Sequence, residues 1–269
     1  MKVIYSTEKG MYLDSKAAHV FFAPGNDFFG VSNYEGLFSK LDNDPNLFGV
    51  VPIDDSFLGE NAFVLEKLLS GKYKIFGELF LSPHFQLVSK SESKISTIKK
   101  VYIEPAYKEM CKKWIEKNSD KEIVVVDDLE AILNQEGEEL SVAYVVTESQ
   151  AKSKKIKLIE KNIGGHIAGA LRYFIVGRTF FDMPPEKSDK VIVIFRTHSS
   201  KDLDLIESIL SRKGLSIFKL ISITTEGKEE VEYYAEFGFY GLLDLQELEI
   251  HSVYINILGI IESGELYTI

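Results

Sequence analysis

The apolar positions of the chain follow two spacings that alternate along its first two thirds. Short runs rich in β-branched and aromatic residues, several with apolar residues at every second position, predict strands. These predicted strands are Val3–Tyr5, Phe48–Ile53, Lys74–Phe80, Phe85–Val88, Val101–Ile103, Ile123–Val126, Ser141–Val146 and Tyr173–Val176. Apolar residues three and four positions apart predict helices at Ser15–Phe22, Ala62–Leu69, Ala106–Asn118, Leu129–Gln135 and Ser149–Ile163. Strands that alternate with helices indicate an α/β sheet architecture.

The segment 190–269 follows a different order of strand, helix, strand, strand, helix and strand. These elements are Val191–Arg196, Leu203–Lys213, Phe218–Thr224, Val231–Gly238, Leu242–Leu248 and Ser252–Gly259. The order predicts a ferredoxin-like βαββαβ unit, in which two helices cover one face of a four-stranded antiparallel sheet. A polar stretch with adjacent prolines, Asp182–Asp189, precedes this unit. We therefore predict a first domain at 1–182, a linker at 183–189 and a second domain at 190–269.

Composition narrows the possible partners and cofactors. The net charge of −10 over 269 residues argues against a nucleic-acid partner, because phosphates need a basic face. The longest apolar stretches are shorter than the roughly 18 residues that suggest a membrane span, and no signal peptide is evident. The single cysteine, Cys111, excludes an internal disulfide and fits a reducing cytoplasm. Neither a metal-ligand cluster nor a Walker-type glycine loop is present, so we expect no metal and no organic cofactor.

The most informative segment of the chain is 50–59, which joins a predicted strand to a predicted helix. Its β-branched run passes Pro52 and then presents Asp54, Asp55 and Ser56 before Gly59. The N-terminus of the following helix has free backbone N–H groups and a favourable dipole for an anion. The segment therefore predicts an anion site at this turn.

The same segment resembles the Val-Pro-Ile-Glu-Asn-Ser-x-x-Gly signature of the prephenate dehydratase family. Asp54 stands in place of the glutamate, Asp55 in place of the asparagine, and Ser56 and Gly59 are retained. The resemblance implies that Asp54, Asp55 and Ser56 belong to the catalytic site and that Gly59 contributes to substrate binding.

Two further segments of the first domain are similar to the same family. Lys9, Gly10 and Tyr12 lie in a loop before paired alanines, where the family has a glycine-rich loop. Such a loop opens a helix and presents N–H groups to a carboxylate. Glu78 belongs to a Gly-Glu pair followed by alternating residues and a histidine, near the predicted crossover between lobes. The resemblance implies substrate-binding roles for these four residues.

The segment 169–178 is similar to the family's Asn-x-Thr-Arg-Phe motif and the strand that follows it. Arg172 is retained, Tyr173 is the aromatic residue, and Leu171 occupies the position of the threonine. The planar guanidinium of Arg172 suits a substrate carboxylate, and we expect Tyr173 to contribute to substrate binding. Leucine cannot supply the proton that the threonine position implies. Candidate replacements are His166, Asp54, Asp55, Tyr12 and Tyr173.

The second domain resembles the ACT domain, an amino-acid-sensing unit that commonly follows a prephenate dehydratase domain. The resemblance rests on three segments, 212–216, 232–234 and 253–259. It implies that Leu203, Gly214 and Ser222 bind an amino-acid effector. The family's phenylalanine-binding motifs are replaced by 201–203 and 221–224, so a purely structural dimerisation unit stays an alternative.

The resemblance as a whole implies a two-lobed α/β domain like a periplasmic binding protein, with the substrate between the lobes. It implies decarboxylating dehydration of prephenate to phenylpyruvate in phenylalanine biosynthesis, with prephenate or arogenate as substrate and a homodimer or homotetramer as assembly. The alternative is a non-catalytic protein that retains the dehydratase fold and binds a small carboxylate or has a regulatory role. The changed signature residues and Leu171 favour that alternative, and domain order favours the enzyme.

Overall fold

The computed structural model describes residues 1–8, 13–56, 59–135, 140–153, 156–164, 170–179, 187–199, 202–223, 230–241, 243, 245–246, 252 and 254–269. The helices of these residues are α1 (Asp14–Phe21), α2 (Tyr34–Asn43), α3 (Ala62–Leu69), α4 (Pro105–Met110), α5 (Lys112–Lys117), α6 (Leu129–Asn134), α7 (Glu148–Ser153) and α8 (Asp202–Arg212). None of the described helices is both long and apolar enough to cross a membrane.

The strands form three sheets. Those of the first sheet are β1 (Lys2–Ser6), β2 (Asp27–Val31), β3 (Leu47–Asp55), β4 (Gly59–Glu60), β5 (Lys74–Ser82), β11 (Leu171–Gly177) and β16 (Glu265–Thr268). Those of the second are β6 (Phe85–Ser89), β7 (Lys100–Ile103), β8 (Glu122–Val125), β9 (Val142–Thr147) and β10 (Lys157–Glu160). Those of the third are β12 (Lys190–Thr197), β13 (Ser216–Ile223), β14 (Val231–Gly238) and β15 (Tyr254–Ile261).

The first sheet has the order β16-β5-β11-β3-β1-β2, and β4 pairs with the end of β3. β1 is parallel to both β2 and β3, whereas β11 lies antiparallel between β3 and β5. The sequence analysis did not predict β2 or α2. Helix α2 nevertheless has a common N-cap residue, because the Asn33 side chain accepts a hydrogen bond of 2.8 Å from Gly36 N. Mixed sheets with intervening helices confirm the predicted α/β architecture.

The second sheet has the order β10-β6-β9-β7-β8 and corrects one prediction. The predicted helix Ser149–Ile163 is wrong in its second half, because α7 ends at Ser153 and Lys157–Glu160 form a strand. This strand pairs antiparallel with β6 at the sheet edge. Lysines are common on short edge strands because they discourage further pairing, and Lys157 is the first residue of this strand.

The third sheet has the antiparallel order β13-β14-β12-β15, as expected for the predicted βαββαβ unit. Its first helix is α8, while most of the predicted helix Leu242–Leu248 and of the linker 183–189 lies outside the described residues. One face packs on the first sheet, where Ile192, Tyr234 and Leu258 join the core that contains Phe174. The division into domains at 182 and 190 stays a prediction.

The C-terminal segment also enters the first sheet directly. β16 pairs in parallel with β5, which the pattern analysis did not predict. The pairing continues into the crossover to the second sheet, where His84 N donates to Ile269 O over 2.8 Å. At the same junction Ile163 N donates to Phe85 O over 3.0 Å. The first and second sheets share one apolar core, which includes Leu81, Phe85 and Leu171.

Candidate active site

The signature turn connects β3 to β4 at the carboxyl edge of the parallel strands. Asp54 pairs with Glu60 and Asp55 with Gly59 across the two strands. Gly59 has a φ of +78°, a left-handed conformation that favours glycine. Helix α3 follows at the predicted bounds, and the Asn61 side chain accepts from Val64 N over 3.2 Å. The sequence thus predicts the strand, the turn and the helix at this place.

Ser56 fastens the signature turn to the start of β11. Its Oγ accepts a hydrogen bond from Ala170 N over 3.1 Å, and its backbone N donates to Ala170 O over 3.3 Å. Ala170 directly precedes Leu171, so the serine brings the signature and the second motif together. The Ser56 hydroxyl and the Ser56 backbone N thus each form a hydrogen bond to Ala170, which lies 114 residues away in sequence.

The two signature aspartates lie on opposite faces of the first sheet. In the register of β3 and β11, Asp54 is opposite Arg172 and Asp55 is opposite Leu171. Successive side chains of a strand point to opposite faces. Asp54 and Arg172 therefore face the third sheet, whereas Asp55, Leu171 and Tyr173 face the junction with the second sheet. The candidate residues do not all converge on one point.

On the face toward the third sheet, Arg172 is surrounded by carboxylates. Its Nη1 and Nη2 donate to Oε1 and Oε2 of Glu236 over 3.0 and 2.5 Å. Its Nε donates to Glu78 Oε1 over 2.5 Å, and Nη1 donates to Asp54 Oδ2 over 3.2 Å. The Arg172 side chain is 8% exposed. A substrate carboxylate would have to displace one of these internal partners.

Two lysines of the third sheet complete this ionic network. Lys190 Nζ donates to Glu78 Oε2 over 2.6 Å, and Gly264 N donates to the same oxygen over 2.9 Å. Lys219 Nζ donates to Asp54 Oδ2 over 2.9 Å. Burial alone would raise the pKa of Glu78, but the charges of Arg172 and Lys190 hold it below its usual value.

The opposite face of β11 is apolar except for a small polar group at the carboxyl edge. Leu171 and Tyr173 are fully buried in the core shared with the second sheet. The Tyr173 hydroxyl accepts a hydrogen bond of 2.6 Å from Leu13 N. Asp55 is also buried on this face, with 3% exposure. The structure thus places Leu171, Tyr173 and Asp55 together at the junction of the two sheets.

Asp14 belongs to this polar group, and the sequence analysis missed it. It is the first residue of α1, and Tyr34 Oη donates to its Oδ2 over 2.7 Å. Its other oxygen, Oδ1, is buried without a hydrogen-bond partner among the described residues. Burial raises the pKa of Asp14 to about 7, and hydrogen bonds from Tyr34 and Tyr173 oppose that rise. Asp14 is an ordinary residue for the start of a helix, and the two tyrosines beside it lie far away in sequence. No local pattern therefore marks it as a site residue.

Several predicted site residues lie elsewhere. Lys9, Gly10, Tyr12 and His166 lie outside the described residues, and their roles stay predictions. No group of three or more His, Cys, Asp and Glu within the described ranges could hold a metal ion.

The three predicted effector residues do not lie at one end of the third sheet. Leu203 at the start of α8 and Ser222 near the end of β13 lie at the same end of the sheet. Gly214 follows α8 at the opposite end, with a φ of +70°. An effector that contacts all three within one copy of this unit would have to span it.

Comparison with known proteins agrees with this architecture. Residues 3–180 match the family model of prephenate dehydratase. The prephenate dehydratase of Methanocaldococcus jannaschii is 26% identical over 278 residues, which cover 96% of each chain. The crystal structure of the prephenate dehydratase from Staphylococcus aureus has a TM-score of 0.79 at 18% identity, covering 97% of this chain and 100% of that one.

A second solved structure is the prephenate dehydratase of Arthrobacter aurescens in complex with L-Phe. Its TM-score is 0.75 at 16% identity, with coverage of 97% of this chain and 90% of that one. At these identities the structural likeness concerns the fold alone, whereas the family model covers residues 3–180, which include the signature turn and the segment 169–178. The chain therefore belongs to the prephenate dehydratase family.

Proposed function

We propose that this protein converts prephenate to phenylpyruvate, with loss of carbon dioxide and the ring hydroxyl. The observation that carries the proposal is the match to the family over residues 3–180, together with a relative named prephenate dehydratase that aligns over 96% of the chain. The signature turn supports it, because Ser56 joins the turn to the residue before Leu171. Ligands of open α/β sheets bind outside the carboxyl ends of the strands, which is where this turn lies.

The chemistry requires few groups from the protein. Breaking the bond between the ring and its carboxylate releases carbon dioxide, and the electrons aromatise the ring as the hydroxyl leaves. The protein must hold two carboxylates and supply a proton to the leaving oxygen. We assign substrate contact to the face of Leu171, Tyr173 and Asp55, with Ser56 and Gly59 at its rim. Lys9, Gly10, Tyr12 and His166 stay predicted contributors to this site.

For Arg172, Asp54 and Glu78 we propose a positioning role in place of direct substrate contact. Their side chains point away from the face of Leu171 and are engaged by Glu236, Lys219 and Lys190 of the third sheet. This network joins β3, β5 and β11 to one another from behind the site. It therefore holds the signature turn at a fixed distance from Leu171.

For residues 190–269 we propose an ACT domain that binds an amino-acid effector. The antiparallel strand order and helix α8 fit that unit, and the relative from Arthrobacter aurescens was crystallised with L-Phe. Leu203 and Ser222 lie at one end of the sheet, so we assign the effector to that end, with Gly214 as the turn that closes α8. We also propose a homodimer or homotetramer and the domain limits 1–182 and 190–269.

The test is turnover by the purified full chain. Prephenate should give phenylpyruvate, and arogenate in a parallel reaction should give phenylalanine if the amino form is the substrate. The matched control is Asp27→Asn, which neutralises an exposed acid on the edge strand β2 and should leave the rate unchanged. If folded protein forms neither phenylpyruvate nor phenylalanine but still binds prephenate, the protein is a carboxylate-binding protein and not an enzyme.

A further inference from the structure

The proposed reaction needs a proton donor, and Leu171 has none to give. Leu171 is fully buried in the apolar core, so water has little access to it. Any substitute donor must reach the same face of β11 from a neighbouring element. Residues i and i+2 of a strand point to one face, so a group that contacts the Tyr173 side chain lies on the same face of β11 as Leu171.

Asp14 satisfies that condition. The backbone N of its neighbour Leu13 donates to the Tyr173 hydroxyl over 2.6 Å, and the Tyr173 hydroxyl also hydrogen-bonds to the Asp14 side chain. From the other side, Tyr34 Oη holds Asp14 Oδ2 at 2.7 Å. The carboxyl is therefore fixed by two phenols from separate elements, α2 and β11.

The remaining oxygen of Asp14 is available for a ligand. Oδ1 is buried and has no hydrogen-bond partner among the described residues, and Asp14 as a whole is 4% exposed. Leaving a buried polar atom unpaired costs about 1–3 kcal/mol. A substrate oxygen that formed a hydrogen bond with Oδ1 would remove this cost.

The surroundings also keep about half of the carboxyl protonated at neutral pH, far more than for an exposed aspartate. Burial disfavours the charged form most strongly, and the negative charge of Glu8 after β1 acts in the same direction. Tyr34 and Tyr173 favour the charged form, yet the pKa of Asp14 remains at about 7. A general acid works best when its pKa lies near the operating pH.

We propose that Asp14 is the general acid that protonates the departing ring hydroxyl, in place of the absent threonine. The proposal rests on the proposed dehydratase function. In the step, the C–O bond breaks and an O–H bond forms with the Asp14 proton, so that water leaves. The C–C bond to the ring carboxylate breaks at the same time, its electrons complete the aromatic ring, and carbon dioxide departs. Solvent returns one proton to Asp14 in each cycle.

The first test compares kcat as a function of pH for the wild type and Asp14→Asn. The wild-type kcat should fall about tenfold per pH unit above a pH near 7, because the donor loses its proton. Asp14→Asn should lower kcat by about 10²–10⁴-fold and abolish this decline. Asparagine has the same shape and carries no charge, so the variant should fold. The control Asp27→Asn should behave as the wild type.

The second variant, Tyr34→Phe, tests the same assignment without touching the donor. Removing the phenol removes a hydrogen bond that lowers the pKa of Asp14, so the alkaline decline should move to higher pH. A merely structural role of Tyr34 would change the rate or the stability without moving the decline.

The outcomes separate the two proposals. An active wild type whose Asp14→Asn variant keeps both its rate and its alkaline decline overturns the role of Asp14 alone. A wild type that makes no phenylpyruvate at any pH overturns the dehydratase function and this inference with it. Loss of rate and of the decline in Asp14→Asn, with a shifted decline in Tyr34→Phe, supports the assignment.

Discussion

The Arg172 guanidinium donates to both carboxylate oxygens of Glu236, which lies 64 residues later in the chain on a different sheet. Both side chains are almost entirely buried, so the pair holds the first sheet against the third. Burying two charges costs free energy that mutual attraction repays only with good geometry. Loss of one partner leaves the other charge buried and uncompensated.

We expect Glu236→Gln to destabilise the protein by about 3–5 kcal/mol, because Arg172 loses the charge of its bidentate partner. Urea unfolding followed by circular dichroism measures this change. The matched control is Glu232→Gln on the same strand, β14, as Glu236. It affects a more exposed ion pair with Arg196 of β12 and should cost at most about 1 kcal/mol. Equal losses in the two variants would contradict a special role for the buried pair.

The pH dependence of stability should show the state of Asp14. The pKa of its carboxyl is raised from 3.8 to about 7 in the folded protein, so between these values the unfolded state binds fewer protons. Stability therefore falls as pH rises through this window, by about 4 kcal/mol in total, and is level above it. Asp14→Asn should remove this loss and be more stable than the wild type at pH 8, as shown by unfolding at a series of pH values. An unchanged slope in the variant would mean that Asp14 titrates normally.

A hydroxyl at position 171 should rescue the loss of Asp14. We expect Leu171→Thr to raise the kcat of the Asp14→Asn variant by about tenfold or more, and that of the wild type by much less. Leu171→Val is the control, since valine has the shape of threonine without the hydroxyl. Threonine in this apolar core should also cost about 1–3 kcal/mol of stability. Equal kcat values for the threonine and valine variants would show that a hydroxyl at this position supplies no proton.

The two signature aspartates should respond differently to neutralisation. Asp55→Asn removes a negative charge from the face assigned to a dianionic substrate, so KM should fall by roughly tenfold. Asp54→Asn weakens its bonds to Arg172 and Lys219 on the opposite face, so it should lower the free energy of unfolding. Steady-state kinetics and urea unfolding of both variants distinguish the effects. A lower KM in Asp54→Asn and not in Asp55→Asn would reverse the assignment of the two faces.

Local signals account for what the sequence predicts well. The turn at Asp54–Ser56 and helix α3 follow from a proline-containing strand, a glycine and an asparagine cap within a dozen residues. The α/β alternation follows from two periodicities that each element carries by itself. These features need no knowledge of distant parts of the chain.

Features that depend on distant contacts were not predictable in the same way. The sequence predicts Arg172 as a substrate-binding residue because it gives no sign that Glu236 of the third sheet pairs with it. Asp14 gains its importance from Tyr34 and Tyr173, which lie 20 residues and more away. The segment 149–163 carries a lysine pattern that predicts a helix, and the pairing of Lys157–Glu160 with the edge of β6 makes part of it a strand.

The most direct test of the dehydratase function is carbon-13 NMR of prephenate labelled at the ring carboxylate, incubated with the purified full chain. We predict that labelled carbon dioxide and unlabelled phenylpyruvate appear in equal amounts, at a rate proportional to protein concentration. Labelled prephenate that stays intact beside correctly folded protein would contradict the account.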